Sequence, residues 1–161
     1  MKAKQLRELI IRPLLEDLAY SGLIKYSPVA EDLLIATACA ESQCGHYIRQ
    51  ETNDGYGPAM GVYQMEPATA HDIYRSWIKY RPSFYSYYDT FSGNLYCMEY
   101  ATFMARVHYY RVSEALPAHN PNIDVYLTSL GEYWKKYYNT EKGAGTVTGF
   151  IEKCKKYGDF V

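Results

Sequence analysis

The sequence predicts a mainly α-helical domain with one structured loop, or small β-excursion, after its second helix. Three observations lead there. Apolar residues recur three and four positions apart over most of the chain, the spacing that gathers them on one helix face. Strand-like alternation is scarce. The helical pattern breaks at residues 45–66, where Gly45, Gly55, Gly57, Pro58 and Gly61 cluster, and long ordered loops in compact domains commonly carry function. The 161 residues contain no internal repeat, low-complexity tract or linker, which predicts a single domain over residues 1–161.

The first helix, about Ala3 to Tyr20, puts Leu6, Leu9, Ile10, Leu14 and Leu18 on one face, with an interruption or kink expected at Pro13. The second starts at Ser27-Pro28, a serine cap followed by proline at the first helical position, and runs to about Cys44, with Gly45 as its stop. Its stretch Leu33 to Ala40 is apolar on every side and belongs in the core. Pro67 restarts a helix to about Tyr80. After a turn-rich tyrosine stretch, Ser92 is the expected cap of a helix through Arg111, with Leu95, Met98, Ala101, Ala105 and Val107 or His108 inward. Asn120-Pro121 opens another to about Tyr138. Gly143, Gly145 and Gly149 separate it from a last short helix ending near Tyr157.

Seventeen basic against eighteen acidic residues give a formal charge of −1, which argues against general nucleic-acid binding. The longest apolar run, Leu33 to Ala40, is far short of a membrane span. Met1-Lys2-Ala3-Lys4-Gln5-Leu6-Arg7-Glu8 carries charges where a signal peptide has its apolar stretch, so synthesis in a cytoplasm without such a signal is expected. Cys39, Cys44, Cys97 and Cys154 have no zinc-site spacing and read as reduced and mostly structural. Cys44-Gly45-His46 is a weak candidate dyad, because sequence neighbours seldom converge in space. The histidines show no i,i+4 pairing, so neither a metal nor any other cofactor is expected. The C-terminal lysines (135, 136, 142, 153, 155 and 156) read as a solvated face.

Glu41 stands out on its own. It lies near the end of the most apolar helix and shares a face with Leu34, Thr37 and Ala38. Desolvation and the negative end of the helix dipole both favour its neutral form, as a general acid requires. The competing reading is a carboxylate at a frayed helix end, in water or paired with Arg49.

Glu41-Ser42 is followed, after the glycine-rich loop, by Ala59-Met60-Gly61-Val62-Tyr63-Gln64-Met65-Glu66-Pro67-Ala68-Thr69-Ala70. This resembles the lytic transglycosylase family of lysozyme-like enzymes, where a glutamate-serine pair precedes an A-x-G-L-M-Q block running into P-x-T-A. Asn94-Leu95 with Arg106 resembles the family's asparagine-led helix, and Tyr137-Tyr138-Asn139-Thr140 its A-Y-N segment. The landmarks keep their order from about Val29 to Gly145, in wording most similar to versions encoded by tailed bacteriophages. Val62-Tyr63 stands where the family has leucine-methionine, and Tyr137 where it has alanine.

The resemblance implies a lysozyme-like fold and cleavage of the β-1,4 bond between N-acetylmuramic acid and N-acetylglucosamine, with a 1,6-anhydro product. Glu41 would be general acid and then base. Ser42 and Tyr138 would orient its carboxyl or the substrate's acetamido group. Gln64 would present its amide to the groove, Gly61 would let backbone approach substrate, and Tyr63 would stack on a sugar. Asn139 would fix the loop beneath Tyr138. For Gln64 and Asn139 the alternative is a backbone-capping amide, and for Tyr63 and Tyr138 it is packing. The implied partners are peptidoglycan glycan strands and other virion proteins, with a virion-associated or lysis enzyme acting on the bacterial wall. Two alternatives stay open. One is a hydrolytic lysozyme in which Glu51, Asp54, Glu66 or Asp72 activates water; the other is a non-catalytic virion structural or wall-binding protein.

Overall fold

The apolar run Leu33 to Ala40 forms the axis of the molecule. It lies within α3 (Pro28–Ser42), and all eight of its residues are buried, because a helix without a polar face can only be accommodated inside others. Ser27 caps it, its hydroxyl accepting the Ala30 N–H at 3.2 Å, with Pro28 at the first helical position. The structure, a computed structural model, describes residues 1–160.

Ahead of α3, α1 (Ala3–Leu6) and α2 (Arg12–Tyr20) form one continuous helical run joined by a π-helical turn at Arg7–Ile11. The interruption expected at Pro13 takes this form: the wider turn directly precedes proline, which stands second in α2, and the chain continues as helix without a break. Arg7 in this turn joins Glu31 and Asp32 of α3 to Asp159 near the C-terminus, at 3.0, 2.8 and 2.8 Å. Arg12 and the Tyr26 hydroxyl also donate to Glu31, which is only 2% exposed.

The loop region holds a hairpin, β1 (Arg49–Thr52) and β2 (Gly55–Met60), paired antiparallel with Glu51 opposite Tyr56 and Arg49 opposite Met60. A second tight reversal follows: Met60 and Met65 exchange both backbone hydrogen bonds at 3.0 Å around Gly61–Gln64. Helix α4 (Pro67–Ser76) stops short of Tyr80, and residues Ile78–Tyr80 form a 3₁₀ turn. The tyrosine-rich stretch expected to be turns contains a short helix, α5 (Pro82–Tyr88), which Pro82 starts and Phe84 anchors edge-on against Trp77.

Helix α6 (Met98–Tyr110) begins six residues after the expected cap. Ser92 does not cap it, because Asn94 folds its own turn: its side chain accepts the Tyr96 N–H and its carbonyl the Cys97 N–H, both at 2.9 Å. Leu95, Ala101, Ala105 and Val107 point inward as expected, but Met98 is exposed in the first turn. Helix α7 (Ile123–Trp134) is capped by Asn122 rather than Asn120 and continues into a π-helical turn at Lys135–Asn139. Helix α8 (Val147–Tyr157), capped by Thr146, packs on α3 and α7. The architecture is mainly α with one two-stranded sheet. Among the described residues, no helix is long and apolar enough to cross a membrane.

Candidate active site

Glu41 sits one residue before the end of α3, where the chain leaves the core. The exit is sharp: Gln43, Cys44 and Gly45 all take left-handed backbone angles, with φ of 54°, 58° and 74°. Two of these are not glycine, so the turn has to be held. Ser42 holds it. Its hydroxyl donates to the Val62 carbonyl at 2.6 Å and accepts the Gly45 N–H at 2.8 Å, and the residue is completely buried. Ser42 therefore ties the end of α3 to the Gly61–Gln64 turn, and its hydroxyl bonds backbone rather than the Glu41 carboxyl.

Glu41 is partly buried and opens onto a cleft of about 990 Å³. Tyr47 and the hairpin residues Gln50, Glu51 and Ala59 line one part of it, Gln64 to Glu66 with Ala68, Thr69 and Asp72 another. His108 and Arg111 at the end of α6, and Tyr137 to Thr140 with Gly143 to Gly145 after α7, complete it. A smaller depression of about 330 Å³ also opens on Glu41, between Trp134, Phe150 and Lys153. The lining mixes amides, carboxylates and phenol rings, which suits a polar ligand with flat apolar faces.

The carboxyl is held by one side chain: the Trp134 indole N–H donates to Glu41 Oε1 at 2.8 Å. Burial raises the Glu41 pKa to about 7, against the opposing pull of that hydrogen bond and of the Lys153 charge. The Lys153 ammonium is itself occupied, donating to the Ala40 carbonyl at 2.6 Å, while the Tyr47 hydroxyl donates to the Glu41 carbonyl at 2.7 Å. Arg49, the suspected partner of Glu41, donates instead to the Gly57 carbonyl and the Tyr96 hydroxyl. Glu41 is thus dry enough to hold a proton near neutrality and is not neutralised by an arginine.

The other expected site residues divide. Gln64 lines the cleft in a left-handed conformation, φ 46°, its amide N–H donating to the Gly61 carbonyl at 2.9 Å. That bond leaves the Gln64 carbonyl oxygen for a ligand. Tyr138 lines the cleft with its ring, but its hydroxyl donates to the Tyr63 carbonyl at 2.9 Å rather than to Glu41. Asn139 accepts from the Lys135 ammonium at 2.7 Å and fixes the turn to Gly143, whose carbonyl takes the same ammonium at 2.8 Å.

Two assignments are corrected. Tyr63 has no face to give a sugar: it is completely buried, its hydroxyl 3.3 Å from Thr102 Oγ1. The Gly61–Gln64 reversal turns residue 64 outward and residue 63 into the core. Gly61 permits a close approach, but of its own chain: at φ 74° a Cβ would run into the Leu95 carbonyl oxygen. Substrate backbone contact there has no room.

Sequence reasoning missed Trp134, Lys153, Tyr47 and the pair His108–Arg111. Arg111 donates to His108 Nδ1 at 3.2 Å and to Asp72 at 3.0 Å, and His108 Nε2 donates to the Tyr137 carbonyl at 2.9 Å. Neither partner of His108 can exchange roles, which fixes the Nε2–H tautomer. Burial and the Arg111 charge push its pKa down to about 4, so neutral His108 braces the Tyr137–Tyr138 segment. Cys44 is buried while His46 is exposed, so they form no dyad. No cluster of three His, Cys, Asp or Glu side chains suited to a metal occurs among the described residues. No family model, no curated protein and no solved structure matches this chain.

Proposed function

We propose that the chain is a peptidoglycan-cleaving muramidase of the lytic transglycosylase type, on a lysozyme-like fold. The observation that carries this reading is Glu41: a carboxyl at the end of a buried helix, its pKa raised to about 7, facing a cleft lined by amides, carboxylates and phenols. The order of the Glu41-Ser42, Gly61-to-Gln64 and Tyr138-Asn139 landmarks supports it, since all three segments meet at this cleft.

In the first step the Glu41 proton passes to the glycosidic oxygen as the bond from C1 of the muramic residue breaks. The bond's electron pair leaves with that oxygen, and the positive centre at C1 is shared with the substrate's own acetamido group. In the second, the C6 hydroxyl oxygen of the same residue bonds to C1 and gives its proton to the Glu41 carboxylate, restoring the acid. A tethered hydroxyl has an effective molarity of about 10⁵ M or more, so one carboxyl suffices. The Gln64 carbonyl and Tyr138 would contact the sugars, a role supported by both residues lining the cleft. Glycan strands of the bacterial wall are the proposed partner, and the phage-like wording supports a virion-associated or lysis enzyme.

One observation favours a second reading. Of the four candidate second carboxylates, Glu51, Glu66 and Asp72 line the same cleft as Glu41 and Asp54 does not; Asp72 is paired with Arg111, and a water activated by Glu51 or Glu66 would give hydrolysis instead. Digestion of purified peptidoglycan, read by mass spectrometry, separates the two: anhydro-muramic ends support the transglycosylase, reducing ends the hydrolase. Glu41→Gln should lower turnover by about a hundred- to ten-thousandfold, the scale of a lost general acid. In the wild type, turnover should fall as pH rises through about 7 and the acid ionises. Wall binding without any fragments would support the non-catalytic alternative, and full activity of Glu41→Gln would remove Glu41 from the mechanism.

A further inference from the structure

We infer that Trp134 is a positioning residue that steers the acidic proton of Glu41 to Oε2, and thereby sets the direction in which the proton is delivered. This rests on the reading of Glu41 as the acid, although the proton's placement can be tested without any activity. An indole N–H donates and cannot accept. With Nε1 of Trp134 donating to Oε1 at 2.8 Å, Oε1 is selected as the carbonyl-like oxygen of the neutral acid, because a carbonyl oxygen accepts more strongly than a hydroxyl oxygen, and the proton favours the other. Oε2 takes no hydrogen bond within the protein, yet no buried side-chain oxygen among the described residues lacks a partner. Oε2 therefore reaches open space, on a side chain that lines the cleft.

The donor cannot easily swing away. Trp134 is 3% exposed, its ring lies 5.0 Å from that of Phe150, and Gly145 presses so closely on its far edge that a Cβ there would collide. Other polar groups around Glu41 leave the carboxyl alone. Lys153 on α8 spends its ammonium on the Ala40 carbonyl and Tyr47 its hydroxyl on the Glu41 carbonyl. The phenol of Tyr109 on α6 bonds Thr37, and that of Tyr138 bonds Tyr63. A single fixed donor on one oxygen favours the other as the protonation site, and once the proton has gone the same N–H steadies the carboxylate that must act as base.

The chain has two tryptophans, so its nitrogen-15 spectrum carries two indole N–H signals, with Trp77, under the Arg81 guanidinium, as internal control. In the unmodified protein the Trp134 signal should move downfield with a midpoint near 7, and the movement should vanish in Glu41→Gln. A Trp134 signal that stays flat from pH 5 to 9 overturns the proposal. Trp134→Phe keeps the ring on Phe150 and deletes the donor. Its Glu41 carboxyl, followed by carbon-13 labelling, should titrate about one pH unit higher, and the C=O stretch of the neutral acid should move to higher frequency. Phe150→Leu, which disturbs packing but spares the N–H, should change neither. If wall is cleaved, Trp134→Phe should lower kcat roughly tenfold with KM unchanged and carry the alkaline limb of the pH profile upward. If no wall is cleaved while the indole signal titrates, the functional reading fails and the placement of the proton stands.

Discussion

Holding a proton on Glu41 has a cost that depends on pH. Its folded pKa, raised to about 7 from an ordinary 4.5, means that between those values the folded chain binds a proton that the unfolded chain has lost. Stability from this group is full below about pH 4.5, declines as pH rises, and is gone above about 7. Glu41→Gln should therefore melt with the wild type at pH 4 and above it at pH 8, by an amount of order 2 kcal/mol after allowing for partial exposure. Thermal unfolding at the two pH values checks this, and equal differences at both would contradict the buried-acid account. Glu41 was legible in the sequence because the apolar run before it demands burial. Trp134 was not, since nothing local links positions 93 residues apart. Tyr63 was misjudged for a third reason: a motif names the residues of a turn but not the face each one takes.

At the level of elements, α3, with its unbroken apolar run and clear cap, was readable within a residue or two, whereas α8 ends at Tyr157 as expected but starts ahead of Gly149, which the glycine spacing assigns to the break before it. Reading failed where a polar side chain chose between two local bonds, as at Asn94 and Asn122, because either geometry satisfies the same groups. Helix α5 escaped because its tyrosines have no strong helix propensity and are recruited by packing. The reversal at Gly61–Gln64 is the element on which most of the cleft depends. It receives the Ser42 hydroxyl and the Tyr138 hydroxyl, and its own Gly61 N–H donates to the Ile48 carbonyl at 2.8 Å. Gly61→Ala should lower unfolding free energy by about 2 kcal/mol or more, through both the left-handed φ and the Leu95 carbonyl. Denaturant titration is the measurement, and a neutral result would show that the reversal relaxes freely.

Across the whole molecule, the π-helical turn, the start of α3 and the C-terminal segment are held by the ion cluster around Glu31. Burial alone would raise the Glu31 pKa, but hydrogen bonds from Arg12, Tyr26 and Arg7 hold it below its ordinary value. Its contribution is complete above about pH 4.5 and is lost as acid carries the pH through the lowered folded value. Arg7→Met leaves Glu31 and Asp32 short of a partner and should cost about 3 kcal/mol or more at pH 7. The deficit should shrink as acid protonates Glu31, and unfolding curves followed from pH 7 down into strong acid would show whether it does. The cluster was invisible in the sequence, where its members are spread from Arg7 to Asp159 among ordinary surface charges. One helix thus carries two carboxyls whose protonation moves stability in opposite directions. Acidification loosens the anchor near its first turn, alkalinity strips the proton from its last, and the ten residues from Glu31 to Glu41 make a ruler about 15 Å long. Engineers could broaden the pH span of the folded state at either margin without disturbing the other.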